Sequence, residues 1–119
     1  MPRAASRGTE GTMSLSHEIR RRGDRVEVVL AGRIDRDAAD ALDAAYAAAS
    51  LDCPASIELD FTGVDYINST GIALIVGVLA RARAQSVGVR ASGLTEHYRH
   101  IFEITRLSDF IEIVQPVES

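Results

Sequence analysis

The chain has 119 residues, of which 46% are hydrophobic and 25% are charged, and its formal net charge at pH 7 is −4. This length and composition predict one globular domain, and the acidic balance argues against a direct nucleic-acid partner. The single cysteine, Cys53, cannot form an intramolecular disulfide, and no apolar run approaches the roughly 20 residues of a membrane span. We therefore expect a cytoplasmic protein without membrane insertion.

The first predicted elements follow a tail that lacks apolar periodicity. Residues 1–13 are predicted to be a disordered N-terminal tail, residues 14–115 the domain and residues 116–119 a C-terminal tail. Two strands open the domain, one at Leu15–Arg21 and a β-branched one at Val26–Leu30. Because a Gly-containing turn joins them, we expect this pair to be antiparallel.

A helix and a third strand come next. The helix is predicted from about Arg36 to Ala49, with Asp35 as its N-cap. The strand is predicted at Ala55–Asp60, where apolar and polar residues alternate, and a connection from Thr62 to Thr70 follows it. The apolar stripe that the helix should bury consists of Leu42, Ala45, Tyr46 and Ala49.

The remaining pattern alternates helices with short strands. A second helix is predicted over roughly Ser69 to Gln85, a strand at Val87–Ala91 and a third helix after a Thr95 cap. Asp109–Val114 is expected to form a short helical turn or a last strand. This order predicts an α/β fold: a small mixed, mostly parallel β-sheet of four or five strands packed against three or four α-helices.

Two hydroxyl groups lie where the third strand region gives way to the second helix, in the segment Asn68-Ser69-Thr70-Gly71. A helix start leaves N–H groups unpaired and carries partial positive charge, so it favours a side-chain oxygen or a phosphate. Ser69 is therefore a candidate helix cap, nucleophile or phosphorylation site. Thr70 has the same ambiguity.

Enzymatic and metal-binding alternatives have weaker support. A hydrolase of the G-x-S-x-G type would need glycine where the chain has Ile67, so we expect no enzyme. His97 and His100 lie three residues apart on one predicted helix, which supplies too few ligands for a metal site without a second cluster. We expect neither a metal nor another cofactor.

Three segments carry a resemblance to a known family. These are Gly32-Arg33-Ile34-Asp35, the segment from Leu59 to Ile72 with the later Gly77, and the third predicted helix, Tyr98–Leu107. Together they resemble the STAS domain of bacterial anti-sigma factor antagonists. The chain differs from that family's usual pattern at Asn68, where an aspartate is common.

The resemblance implies a non-enzymatic protein that binds an anti-sigma factor serine kinase and thereby releases a sigma factor. It also implies that the kinase ends this complex by phosphorylating Ser69, that a PP2C-type phosphatase restores it, and that the chain is a monomer or weak dimer. Two alternatives stay open within the same family. One is a stand-alone STAS subunit of an ABC-type lipid or solute transport complex, and the other is a stressosome-like scaffold.

A helical wheel of the second helix predicts where such a partner binds. The face predicted toward the sheet carries Ile72, Ile75, Val76, Leu79 and Ala82, and the opposite side carries Thr70, Ala73, Leu74, Gly77 and Arg81. A helical glycine costs about 1 kcal/mol relative to alanine, so Gly77 indicates close approach by a neighbour. The predicted partner-binding residues are Asn68, Ser69, Thr70, Gly71, Leu74, Gly77 and Arg81.

Overall fold

The computed structural model describes residues 15–51 and 53–114, so both predicted tails lie outside the described residues. Five strands form one sheet in the order β1-β2-β3-β4-β5. The strands are β1 (Leu15–Arg22), β2 (Arg25–Ile34), β3 (Ser56–Ile67), β4 (Gly88–Ser92) and β5 (Glu112–Ile113). The helices are α1 (Ala39–Ala49), α2 (Ser69–Ala84) and α3 (Glu96–Ile104), with 3-10 turns at Arg36–Ala38 and Leu107–Asp109.

The predicted mixed sheet is confirmed. β1 and β2 pair antiparallel through a turn in which Gly23 has a φ of +66°, a conformation that glycine adopts without steric cost. The pairs β2–β3, β3–β4 and β4–β5 are all parallel. Because successive parallel strands are neighbours and crossovers are right-handed, the three helices lie on one face of the sheet.

The core lies between that face and the helices. Alternate strand residues point into it, and the other face of the sheet carries partly exposed polar residues such as Glu27, Glu58 and Arg90. The apolar stripe predicted for α1 is confirmed, since Leu42, Ala45, Tyr46 and Ala49 are all buried. Asp35 caps the preceding 3-10 turn, where its carboxylate accepts a hydrogen bond from Asp37 N–H at 3.0 Å.

The prediction that the third strand ends at Asp60 and that a connection runs from Thr62 is wrong. β3 continues to Ile67, which pairs with Ile34 at the end of β2. The register shifts twice along this pair, so the buried residues change spacing from two to three: Leu59 and Phe61 are followed by Val64 and Ile67. An irregular ladder of this kind hides the period-2 pattern that marks a strand in the sequence.

The predicted orientation of α2 is also wrong at two residues, since Leu74, which was placed on the outward side, is half-buried and packs against the core, and Val76, which was placed on the inward side, is exposed. The side chain of Val76 is 46% exposed rather than packed on the sheet, and Val78 is buried instead. The buried residues of the helix are Gly71, Ile75, Val78, Leu79 and Ala82. Apolar residues cover more than half of the circumference of α2, so its periodicity alone does not fix which part faces inward.

The C-terminal part of the domain closes the core. Thr95 caps α3 as predicted, because its hydroxyl accepts a hydrogen bond from Tyr98 N–H at 3.2 Å. Phe102 is fully buried and meets the Phe61 ring edge-on at a centroid distance of 5.9 Å. Within residues 15–51 and 53–114, no helix is long and apolar enough to cross a membrane.

Candidate functional site

The candidate site lies at the edge of the sheet where the parallel strands β2 and β3 end together. Ile34 and Ile67 are paired there, and α2 begins two residues after Ile67. The backbone N–H of Asn68 donates to the Ile34 carbonyl oxygen at 3.3 Å, which joins the start of α2 to the end of β2. The helix start is therefore held by the sheet itself.

Asn68 is the N-cap of α2. Its backbone is extended, and its side-chain oxygen accepts a hydrogen bond from Gly71 N–H at 2.8 Å. Neither Ser69 nor Thr70 is the cap, so that alternative for the two hydroxyl residues is wrong. The spacing from Asn68 to the amide three residues later is the usual N-cap geometry, and this signal was present in the sequence.

Gly71 is buried and packs directly against the end of β2. A Cβ atom added to it would overlap the Ile34 carbonyl group, coming within 2.7 Å of its carbon. Because the obstacle is backbone, it cannot rotate away as a side chain can. Only a glycine lets α2 approach β2 this closely, and this contact places Ser69 and Thr70 at the surface.

The hydroxyl groups of Ser69 and Thr70 are exposed. Among the described residues, no group forms a hydrogen bond with either of them. The first turn of α2 carries no acidic residue, so no carboxylate offsets the partial positive charge of the helix start. Among the described residues, no His, Asp or Glu side chain forms a hydrogen bond that would activate Ser69 as a nucleophile, and the exposed residue is accessible to a modifying enzyme.

Residues at the ends of β2 and β3 form one border of the site. Arg33 and Tyr66 are partners in the parallel register, and the guanidinium carbon lies 5.3 Å from the centroid of the Tyr66 ring. Arg33 also pairs with Asp35 at 3.4 Å. Tyr66 is 42% exposed, so this border presents an aromatic ring and a partly neutralised cation to the solvent.

The predicted binding residues farther along α2 occupy different environments. Leu74 is half-buried and packs against the core, whereas Gly77 is exposed and has open space where a Cβ would lie. Arg81 turns toward α1, where it pairs with Asp43 at 2.9 Å and lies 4.7 Å from the centroid of the Tyr46 ring.

Tyr46 links this flank of α2 to the core. Its phenol donates a hydrogen bond to the Gln85 side-chain oxygen. Burial raises the pKa of the Tyr46 phenol above its ordinary value, and the nearby Arg81 guanidinium partly offsets that effect. The phenol therefore stays protonated, as its donor role requires.

One supporting residue was not anticipated from the sequence. The Tyr98 hydroxyl accepts a hydrogen bond from Ile67 N–H at 3.0 Å, which ties α3 to the last residue of β3. From the sequence, Tyr98 was predicted only to lie within the third helix. By contrast, His97 and His100 lie outside the site, and among the residues described no cluster of three or more His, Cys, Asp or Glu could hold a metal ion.

Comparisons with known proteins agree with this fold and identify the family to which the chain is similar. The family model described as "Mlab, STAS domain" matches residues 17–115. An anti-sigma-B factor antagonist of Listeria monocytogenes is 33% identical over 102 residues, which cover 85% of this chain and 90% of that protein.

Two solved structures share the fold at lower identity. The crystal structure of an anti-sigma factor antagonist from Mycobacterium paratuberculosis has a TM-score of 0.69 at 22% identity, covering 87% of this chain and 88% of that one. The phosphorylated form of SpoIIAA, a cell fate determinant of Bacillus, has a TM-score of 0.63 at 17% identity, covering 84% and 92%.

Proposed function

Because the chain belongs to the STAS domain family and is similar to anti-sigma factor antagonists over most of its length, we propose that it binds an anti-sigma factor that is also a serine kinase. Binding withdraws the anti-sigma factor from its sigma factor. Phosphorylation of Ser69 by the kinase ends the complex, and a PP2C-type phosphatase in the cytoplasm restores it. The observation that carries this proposal is the exposed Ser69 at the capped start of α2, whose hydroxyl forms no hydrogen bond with the described residues.

The charge of a phosphate on Ser69 explains why phosphorylation can leave the domain folded and still end the complex. A phosphoserine carries about −1.5 to −2 charges and three acceptor oxygens. At the start of α2 this charge meets the positive end of the helix and no acidic neighbour in the first turn, so the domain stays folded. Beneath a bound protein the same charge would lose its water, and binding would weaken.

The proposed contact surface extends from the cap along the side of α2 that carries exposed Gly77 and Arg81 and half-buried Leu74. Asn68, Ser69 and Thr70 form its end, and Leu74, Gly77 and Arg81 continue it. Gly71 takes part by bringing the helix start against Ile34 rather than by touching the partner. Open space at Gly77 supports this surface, because no contact within the described residues requires a glycine there.

Asn68 changes the electrostatics of the switch without removing the cap. Its side-chain oxygen does what an aspartate carboxylate would do for Gly71 N–H, and the two residue types cap helices about equally well. The unphosphorylated site therefore lacks one negative charge that an aspartate would bring. Phosphate on Ser69 therefore brings about −1.5 to −2 charges to a helix start that has no other negative side chain in its cap or first turn.

A phosphotransfer experiment tests this proposal. The full chain is incubated with candidate anti-sigma kinases and ATP, and the modified residue is located by mass spectrometry. We expect one phosphate on Ser69, none in Ser69→Ala and normal transfer to Thr70→Ala, which is the matched control in the next position. A subunit of a transport complex or a stressosome-like scaffold would instead bind its partner without transfer to Ser69, and that result would contradict the switch.

A further inference from the structure

Next to its buried face, which includes Leu79, α2 has an apolar flank that stays partly exposed. Val76, Leu79, Ala80 and Arg83 follow one another at helical spacings i, i+3, i+4 and i+7, so they share one side of the helix. Together with Leu107 and Phe110 they line an open groove of about 160 Å³. This groove, which we call the Val76–Phe110 groove, lies between α2 and the 3-10 turn at Leu107–Asp109.

Two large apolar side chains at this groove remain in contact with water. Val76 is 46% exposed and Phe110 is 55% exposed, although the domain buries most of its other large apolar residues. An exposed apolar surface beside a small concavity is typical of a protein-binding site.

The groove also carries a cation, Arg83, that pairs with no carboxylate of the described residues. Arg83 is the one charged residue among those that line it, and its guanidinium carbon lies 5.5 Å from the centroid of the Phe110 ring. No carboxylate of the described residues pairs with Arg83, whereas nearby Arg81 and Arg106 pair with Asp43 and Asp109. An apolar groove with an unneutralised guanidinium at its side is complementary to an apolar group that carries a carboxylate beside it.

The distance between the groove and Ser69 indicates which protein supplies this apolar group and its carboxylate. Ser69 and Ala80 are 11 positions apart in α2, which is about 16 Å at 1.5 Å per residue. Ser69, Ala73 and Ala80 lie on the same outer side of the helix, and all three are exposed. A standard interface covers about 800 Å² on each partner, which is large enough for one docked protein to cover both Ser69 and the groove.

We propose that the Val76–Phe110 groove is a second recognition site for the protein that docks over Ser69. The partner places a bulky apolar side chain between Val76 and Phe110, and an adjacent Asp or Glu of the partner pairs with Arg83. This inference rests on the proposed function and adds the chemistry of the partner surface. The site lies away from the phosphate, so it contributes affinity that phosphorylation does not directly remove.

The test is a titration of the full-length chain with the kinase identified by phosphate transfer to Ser69. Val76→Asp and Arg83→Glu should each weaken binding at least about tenfold, as expected for residues that carry much of an interface's energy. Arg83→Lys keeps the charge and should lose less than Arg83→Glu. Both changed positions are at the surface, and thermal unfolding of each variant shows whether the domain remains folded.

Matched controls lie at exposed positions outside the groove. Leu51 is 72% exposed just after α1, and Arg25 is exposed at the start of β2 without a carboxylate partner in the described residues. Leu51→Asp and Arg25→Glu make the same chemical changes at positions that do not line the groove. Both should bind with close to wild-type affinity.

The outcomes separate this inference from the function on which it rests. If Ser69→Asp loses the kinase while Val76→Asp and Arg83→Glu bind like wild type, the groove proposal is overturned and the switch stands. If Val76→Asp leaves kinase binding intact but abolishes self-association in sedimentation, the groove binds a second copy of the chain and the proposal is again overturned. If the wild-type chain binds no kinase, both proposals fail.

Discussion

Gly71 and Gly77 lie six residues apart in α2, but their surroundings are opposite. Gly71 is buried against the Ile34 carbonyl, where any side chain would collide with backbone. Gly77 is exposed, and a Cβ there would meet nothing within 4 Å. The inner side of the helix is thus explained by the domain's own packing. The outer side has a costly residue that this packing does not require, as expected of a surface shaped by a partner.

The largest effect should come from Gly71→Ala. The added methyl group would push α2 away from β2 or distort the β2 end, because the colliding atoms belong to the Ile34 backbone. We expect a loss of about 3 kcal/mol or more in the free energy of unfolding, in the range of severe core overpacking. Urea denaturation measures it, and a loss below about 0.5 kcal/mol would show that the contact at Gly71 is not restrictive.

A smaller effect is expected from the cap that lies beside this contact. Asn68→Ala removes the acceptor for Gly71 N–H and should cost about 1 kcal/mol of unfolding free energy. Asn68→Asp restores an acceptor, so it is the matched control and should unfold close to wild type. Equal stability of the alanine and aspartate variants would contradict the capping role.

Gly77→Ala should have the opposite sign. With open space for the methyl group, alanine is expected to raise the free energy of unfolding by about 0.5–1 kcal/mol through its higher helix propensity. The same change should weaken partner binding, because it thickens the surface where close approach is proposed. A more stable variant with unchanged affinity would show that Gly77 is not part of the contact surface, and the explanation of its difference from Gly71 would then be wrong.

The flank of α2 that faces α1 should show the smallest effect, and only at high pH. The folded-state pKa of Tyr46 is raised, so its stabilising contribution is complete below the unfolded value of about 10 and is lost as pH rises through the higher folded value. Thermal unfolding of wild type and Tyr46→Phe between pH 8 and 11 checks this. The stability difference between the two should shift against the wild type above about pH 10, and a pH-independent difference would contradict the assigned cause.

The elements that sequence patterns predicted well are those with one clear periodicity or turn. The β1–β2 hairpin has its glycine turn, and α1 has a single apolar stripe that is buried as expected. The third strand was predicted to be too short, because register shifts between β2 and β3 break the alternation of buried and exposed residues after Phe61. Val76 was wrongly predicted to face the sheet because α2 is apolar on two sides. The contact of Gly71 with Ile34, which fixes the rotation of α2 about its axis, is a tertiary feature.

The candidate site was predictable in position but less so in its parts. The motif around Ser69 located the start of α2, and the position of Asn68 three residues before Gly71 is typical of an N-cap. The contact between Ile67 and Tyr98 and the pairing of Arg81 with Asp43 join residues distant in sequence. No local pattern reports such pairs, so their roles emerged only from the packing of the elements.

The most direct test of the central claim compares the affinities of Ser69→Asp and Ser69→Ala for the anti-sigma kinase by isothermal titration. A negative charge at the start of α2 should abolish or strongly weaken binding in Ser69→Asp, while Ser69→Ala binds like wild type and both variants keep wild-type unfolding temperatures. Equal affinity of the two variants would contradict the account, because charge at this hydroxyl would then not control the complex.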